Sequence, residues 1–99
     1  MDILSTSVFD TWFVSLRDLR GKARIQARID RIAYGHWGDV KSVGDGVIEL
    51  RVFSGPRYRV YLKQYGETLV VLLAGGDKSS QQNDILRAKQ IANDIEASK

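Results

Sequence analysis

Residues 47–78 read VIELRVFSGPRYRVYLKQYGETLVVLLAGGDK, and this stretch predicts the sheet of the protein. Within it, the runs 47–53 and 57–63 place apolar side chains at every second position, which is the period of a β-strand. Ser54-Gly55-Pro56 between the runs supplies the backbone angles that a hairpin turn requires. The two runs are therefore predicted to be neighbouring antiparallel strands.

The same alternation predicts a basic face on this hairpin. One face would hold Ile48, Leu50, Val52, Tyr58, Val60 and Leu62, and the other Val47, Glu49, Arg51, Phe53, Arg57, Arg59, Tyr61 and Lys63. The second set contains four cations and a single acid, Glu49, so we expect a concentrated positive surface there.

A third strand is predicted over 68–74, where Leu and Val follow one another without alternation. Such a run is typical of a strand buried on both faces and indicates a central position in the sheet. Gly75 and Gly76 then allow a sharp turn, and the serines at 79 and 80 are typical caps of a following helix. Lys78 is expected at the edge of the sheet where this turn lies.

Amphipathic segments surround the predicted sheet. Apolar residues at helical spacing predict helices from about residue 7, over 22–34 and over 80–97, with Gly21 separating the first two. Residues 1–4 could add a short edge strand. The predicted fold class is therefore α+β, a helical hairpin packed on a small antiparallel sheet with a C-terminal helix that covers the sheet.

Composition indicates an ordinary globular chain. The 99 residues are expected to form one domain, 1–99, with a formal net charge of +3 and 43% hydrophobic residues. The absence of cysteine excludes disulfides and thiolate chemistry. The apolar run 69–74 is far shorter than the roughly 20 residues of a membrane helix, and no signal-peptide pattern is visible. A cytoplasmic protein without a membrane partner is expected.

Three arginines form a stripe on the second predicted helix. Arg24, Arg28 and Arg31 recur at positions i, i+4 and i+7, displaced from the isoleucines that would be buried. One interpretation is a solvated helix face. The other is a binding surface for RNA or for an acidic protein, because aligned like charges repel one another unless a partner neutralises them.

The order of the predicted elements and the motifs LR, GPRYRVYL and LLAGGDKS resemble the RelE/ParE superfamily of type II toxins. Within that superfamily, the chain is most similar to the HigB-like, phage Gp49-like group of addiction module killer proteins. The resemblance extends from about residue 8 to about residue 92 and includes residues 38–41 before Gly44.

This resemblance implies a RelE-like fold and a cytoplasmic bacterial toxin that a cognate antitoxin of the helix-turn-helix type neutralises. RelE-like and HigB-like members are endoribonucleases (mRNA interferases) that cleave mRNA on the ribosome without metal or cofactor and so inhibit translation. ParE-like members instead inhibit DNA gyrase without nuclease chemistry. A third alternative is an inactive relative that only binds its antitoxin, since one fold supports all three.

The resemblance also implies catalytic residues. Arg59 falls on the arginine of the family's YR dipeptide, where a guanidinium would stabilise the transition-state phosphate. Lys78 falls where RelE-like toxins carry an arginine, and Arg51 lies near a cationic pair that Glu49 interrupts. Asp84 lies near the place of the family's proton-transfer tyrosine and is the candidate acid or base.

The predicted RNA-binding set is larger than the catalytic set. It consists of Arg51, Arg57, Arg59, Tyr61 and Lys63 on the sheet and Arg24, Arg28 and Arg31 on the second helix. Tyr61 is a candidate stacking platform for a base, with packing in the sheet as its alternative. Asp77 is a second carboxylate candidate, with stabilisation of a turn or helix start as its alternative.

His36 is the only histidine, and it is expected in a surface loop rather than in a catalytic role. Trp37 beside it is expected to cover the edge of the core. The sequence contains no phosphate-binding loop, zinc motif or Ser/His/Asp arrangement, so conventional hydrolase classes are excluded and no metal or cofactor is expected.

Overall fold

The computed structural model describes residues 1–98, which contain five strands, three α-helices and one short 3-10 helix. In chain order these are β1 Asp2–Ser5, α1 Ser7–Ser15, α2 Leu19–Ala33, β2 Val40–Gly44, β3 Val47–Val52, β4 Tyr58–Tyr65, β5 Leu69–Gly76, the 3-10 helix Lys78–Ser80 and α3 Gln81–Ala97. The predicted α+β class and the C-terminal helix are confirmed.

All five strands form one sheet in the order β1-β5-β4-β3-β2. Neighbouring strands are antiparallel except β1, which runs parallel to β5. The sheet is therefore mixed, and the prediction of a purely antiparallel sheet is wrong at this edge. The long connection between β1 and β5 provides the crossover that a parallel pair needs. β1 itself confirms the edge strand considered for residues 1–4.

β2 was not predicted from the sequence. Its turn into β3 contains Asp45 and Gly46, whose φ angles of 58° and 77° are both in the left-handed region. An Asp-Gly pair is favoured in such hairpin turns. Only Val40 and Val43 give the strand itself an apolar signal, and this is too little to predict a strand.

The predicted hairpin of β3 and β4 is confirmed. Arg51 stands opposite Arg59, and Glu49 stands opposite Tyr61. β5 is buried on both faces over residues 70–74, as its unbroken apolar run predicted. It lies inside the sheet between β1 and β4, although the middle strand is β4.

α1 and α2 cover one face of the sheet. Their apolar side chains meet the predicted core face of β3 and β4 in a cluster that includes Phe9, Ile25, Ile29, Ile32, Leu50, Val52, Val60 and Leu62. Burying each such side chain contributes roughly 1.5–3 kcal/mol relative to leaving it exposed. This layer is the main hydrophobic core of the described chain.

α3 covers the opposite face. Its Ala88 and Ala92 are buried against a second cluster that includes Val47, Tyr61, Val71, Leu73 and Ala74. The predicted positive surface is wrong for the middle of this face, because Glu49, Arg59 and Tyr61 are all buried there. Alternation could not reveal this, since charged strand positions are usually exposed.

α2 starts earlier than predicted and contains Gly21. Asp18 caps the helix by accepting a hydrogen bond from the Gly21 N–H at 2.9 Å, so Gly21 does not separate the two helices. A side chain at Gly21 would collide with the Tyr58 ring and with Asp18. This close approach explains a glycine inside the first turn.

Candidate active site at the end of the sheet

Four polar side chains meet between β3, β4 and the start of α3. Glu49 Oε2 accepts hydrogen bonds from the Tyr61 hydroxyl at 3.1 Å and from Gln81 Nε2 at 2.9 Å. The same oxygen lies 3.6 Å from Arg59 Nε. Glu49 is 1% exposed and Arg59 is 9% exposed. The cluster is therefore built around a buried ion pair that both strands and the helix position.

The Arg59 guanidinium is fixed on two sides. Its Nε faces Glu49 without a hydrogen bond, and its Nη1 donates to the Arg57 carbonyl at 3.2 Å. Within residues 1–98, no hydrogen bond engages its Nη2. A guanidinium held in this way is an oriented donor for an anionic oxygen, in surroundings where water screens charge poorly.

Glu49 is the residue that sequence reasoning misjudged. It was interpreted as an interruption of a cationic pair, whereas the structure makes it the partner of Arg59. The predicted alternation already placed Glu49 and Arg59 on the same face of neighbouring strands, where side chains of opposite charge can pair. Gln81 was not recognised at all, since its place depends on how α3 packs on the sheet.

Tyr61 does not offer a stacking surface. Its ring is fully buried, and its hydroxyl donates to Glu49. Burial, together with the negative charge of Glu49, raises the pKa of Tyr61 well above the ordinary value of 10.0. The hydroxyl therefore stays protonated at neutral pH, and the alternative interpretation, packing in the sheet, is confirmed.

Asp84 lies beside this cluster in the first turn of α3. Its Oδ2 accepts a hydrogen bond from the Ser80 hydroxyl at 2.5 Å. The carboxylate packs against Gly76, which stands opposite Arg59 in the sheet. The charge of Asp84 also contributes to raising the pKa of Tyr61. Asp84 is partly exposed, so it is the carboxylate of this site that solvent and a ligand can reach.

The other two predicted residues at this edge have different surroundings. Asp77 accepts hydrogen bonds from the Ser79 hydroxyl and its N–H, and the Ser79 hydroxyl bond lowers the pKa of Asp77 most. Its alternative role of stabilising the turn is thus confirmed. Lys78 is exposed on the 3-10 helix at the rim of the site, outside the hydrogen-bonded cluster.

The predicted cations do not all converge. Arg51 stands next to Arg59 across the strands and forms an ion pair with Asp39 at 3.6 Å. Lys63 is bound to Glu96 of α3, and that hydrogen bond raises the pKa of Lys63. Lys63 is also four positions from Arg59 on β4, which corresponds to about 13 Å. It therefore lies outside the site.

Comparison with curated proteins finds a relative from Haemophilus influenzae that is described as an uncharacterized protein. It is 50% identical over 95 residues, which cover 96% of this chain and 96% of the relative. The chain belongs to the family of this Haemophilus influenzae protein. No family model matches the chain, and no solved structure gives a significant match.

The arginine stripe of α2 has two different environments. Arg28 is partly buried and donates to the carbonyls of Arg51, Trp37 and Asp39 at 2.6, 3.2 and 3.3 Å. Burial lowers the pKa of Arg28, although an arginine stays charged at neutral pH. The Arg28 side chain therefore holds the ends of β2 and β3 against α2. Arg24 and Arg31 are exposed.

Arg57 is also exposed, at the tip of the β3–β4 hairpin, where its φ of 60° is left-handed. Its guanidinium lies over the ring of Phe53, 5.9 Å from the centroid. Phe53 was placed on the polar face by alternation but given no role, and the structure leaves it 58% exposed. Phe53 is thus an exposed aromatic ring at the hairpin turn, whereas Tyr61 is buried.

The remaining expectations concern His36, metal ions and membranes. His36 is exposed in the loop before β2, and Trp37 packs against the main core, both as predicted. Within residues 1–98, no three side chains of His, Cys, Asp or Glu are grouped closely enough to hold a metal ion. None of the helices in that range is long and apolar enough to span a bilayer.

Proposed function

We propose that this protein is the toxin of a type II toxin–antitoxin system with a RelE-like fold, and that it cleaves mRNA on the ribosome in the bacterial cytoplasm. A cognate antitoxin of the helix-turn-helix type would neutralise it. The observation that carries the proposal is the oriented Arg59 guanidinium beside Asp84 at one end of the sheet. The toxin function, the ribosomal target and the antitoxin are inferred from the motif resemblance.

The chemistry needs a cation and a proton-transfer group. In the proposed reaction the 2′-hydroxyl of the mRNA attacks the adjacent phosphorus and loses its proton, the bond from phosphorus to the 5′-oxygen breaks, and that oxygen takes up a proton. Arg59 would bind the phosphate oxygens through its free Nη2 as charge accumulates there. Asp84 would accept or supply a proton because it is the accessible carboxylate.

Glu49 is a positioning residue in this account. It lies 3.6 Å from Nε of Arg59, so it orients the guanidinium and leaves the opposite edge for the substrate. Arg51 and the exposed Lys78 would contribute further positive charge at the two sides of the site. Their expected role is to attract and hold the RNA backbone.

The test is induction of the protein in a bacterial host, followed by mapping of mRNA ends. We compare the parent with Arg59→Lys, which keeps a charge but loses the planar fork, and with Asp84→Asn. Cleavage should fall about 100-fold or more in Asp84→Asn if this group transfers a proton. Arg20→Gln, an exposed change in the first turn of α2, is the matched control and should cleave like the parent.

One observation favours the rival function, inhibition of DNA gyrase. Arg59 is 9% exposed and faces a carboxylate, so much of its charge is neutralised before any substrate binds. A supercoiling assay with purified gyrase separates the two. Inhibition of gyrase, with transcripts left intact in the cell, would support the rival and overturn the endonuclease. Absence of both effects would indicate an inactive relative that binds its antitoxin.

A further inference from the structure

A basic groove lies between α2 and the end of β3, on the side of the sheet away from α3. It has a volume of about 290 Å³ and is lined by Arg24, Ala27, Arg28, Arg31, Val52 and Phe53. Three of these side chains are arginines and none is acidic. Among residues 1–98, neither Arg24 nor Arg31 forms an ion pair. Their charges are therefore available to an anionic ligand.

The three arginines of the groove differ in their contacts. Arg28 is held by three carbonyl groups, so it keeps its place when a ligand binds. Arg24 and Arg31 are exposed and lie two helical turns apart, which is about 10 Å along the α2 axis. Two cations at this spacing can contact different phosphates of one strand. Asp39, whose charge acts on Arg28, is already paired with Arg51.

Phe53 adds an aromatic surface to the same groove. More than half of its side chain is exposed, and Arg57 lies over the ring at 5.9 Å. An exposed ring of this kind can stack under a nucleic-acid base, and an adjacent arginine adds a contact to the base or phosphate. The combination of a flat ring with basic neighbours is typical of surfaces that bind single strands.

The groove and the candidate active site occupy the same end of the sheet. Phe53 and Arg57 flank the turn that joins β3 to β4, and the strand residues next to this turn include Arg51 and Arg59. A strand leaving Arg59 can therefore continue past Arg51 around the hairpin to Phe53. At the groove this path meets the exposed side chains of Arg24, Arg31 and Phe53.

We propose that this groove binds single-stranded RNA, with Phe53 stacking on a base and Arg24, Arg31 and Arg57 contacting phosphates. The inference rests on the proposed endoribonuclease function, because it supplies the contacts that hold mRNA outside the reacting nucleotides. An acidic peptide would satisfy the arginines equally well. Phe53 favours RNA, because every base presents a flat face to a ring and an acidic side chain presents none.

The experiment measures binding of a fluorescein-labelled, unstructured RNA of about twelve nucleotides by fluorescence anisotropy over a series of salt concentrations. Phe53→Ala should weaken binding roughly 5- to 100-fold with an unchanged salt slope, because the stacking contact carries no charge. Arg24→Gln with Arg31→Gln should reduce the slope of log K against log salt by about 1.4, at roughly 0.7 for each lost phosphate contact.

Arg87→Gln on α3 is the matched control, since Arg87 is exposed on the other side of the sheet, and it should bind as the parent does. Thermal melting of each variant checks that it is folded. Parent-like affinity of Phe53→Ala, or an unchanged slope in the double variant, would overturn the proposal. A groove that binds a polyglutamate peptide through Phe53 and does not bind the RNA would overturn it too.

Failure of this inference is distinguishable from failure of the proposed function, because RNA-end mapping is independent of the binding assay. If mRNA is cleaved in cells and Phe53→Ala binds RNA as the parent does, the groove proposal is wrong and the endonuclease proposal stands. If RNA binding depends on the groove residues but transcripts stay intact in cells, the groove proposal is supported and the endonuclease proposal is wrong.

Discussion

Arg59 and Glu49 form a buried ion pair whose two members depend on each other. Removing one charge from such a pair leaves the other buried and uncompensated, which costs about 3 kcal/mol. The Tyr61 and Gln81 hydrogen bonds to Glu49 do not involve Arg59, so they remain when Arg59 alone is replaced. The pair is thus expected to matter for stability as well as for the proposed reaction.

Glu49→Gln is therefore predicted to lower the free energy of unfolding by about 3 kcal/mol. The amide keeps the shape of the side chain but removes the charge that faces Arg59. Urea denaturation at neutral pH measures the change, with Glu67→Gln as control because Glu67 is exposed in the β4–β5 turn. Equal stabilities of Glu49→Gln and the control would show that the pair contributes nothing.

Two carboxylates are predicted to make stability depend on acid pH. The Gly21 N–H and the Tyr58 hydroxyl lower the pKa of Asp18, and the Ser79 hydrogen bonds lower the pKa of Asp77, in each case from 3.8. A lowered pKa in the folded state means that the added stability is present above about pH 4 and is lost as pH falls through the folded-state value.

The corresponding measurement compares Asp18→Asn with the parent by denaturation at neutral pH and at successively lower pH. The parent should be the more stable protein at neutral pH, and the difference should shrink below about pH 4 as Asp18 of the parent becomes protonated. A difference that stays constant over this range would show that the charge of Asp18 is not involved.

The family resemblance, rather than the residue pattern itself, allowed part of the site to be predicted. Arg59 and Asp84 were named as candidates, and the structure brings them to the same end of the sheet. Burial of Arg59 could not be predicted, because it follows from the packing of α3 and from the partner that Glu49 provides. The roles of Lys63 and Arg28 were unpredictable for the same reason, since Glu96 and three carbonyl groups reach them only in the folded chain.

The contact between α1 and β5 has little room for change. A side chain at Gly75 would overlap the Trp12 ring. Gly75→Ala is predicted to destabilise the protein by roughly 1–3 kcal/mol, because an overpacked contact must shift the ring or the helix. Loss of melting temperature measures the effect.

Gly66→Asn in the β4–β5 turn is the matched change for that experiment. Its φ of 66° is a conformation that asparagine tolerates, and no atom lies within 4 Å of an added Cβ. This variant should melt close to the parent. If Gly75→Ala had the same melting temperature as Gly66→Asn, the packing of Trp12 on β5 would not be tight.

The elements differ in how well the sequence predicted them, and the reason is the range of the contacts involved. The β3–β4 hairpin was predicted correctly because alternation and a tight turn are local signals. The parallel pairing of β1 with β5 joins residues more than 60 positions apart, such as Ile3 and Val70, so no local pattern could show it. β2 was not predicted because its apolar pattern is too short to indicate a strand.

For the molecule as a whole, charge is distributed differently from the sequence-based expectation. The basic hairpin face expected from alternation is buried around Arg59 beneath α3, and exposed positive charge lies instead around Arg57 and around Arg24 and Arg31 of the α2 stripe. The buried and the exposed charges both lie at the end of the sheet that carries the hairpin turn. The central claim of the proposal is that Arg59 acts there on an RNA phosphate.

The most direct test of that claim is the chemical identity of RNA ends after induction of the protein. Attack by the 2′-hydroxyl predicts a 2′,3′-cyclic phosphate on the upstream fragment and a 5′-hydroxyl on the downstream fragment. Arg59→Lys, at equal protein level and with a parent-like fold, should lose about 10-fold or more of these ends, because a lysine cannot reproduce the planar donor fork. Intact transcripts in the parent, or cleavage that is unaffected by Arg59→Lys, would contradict the account.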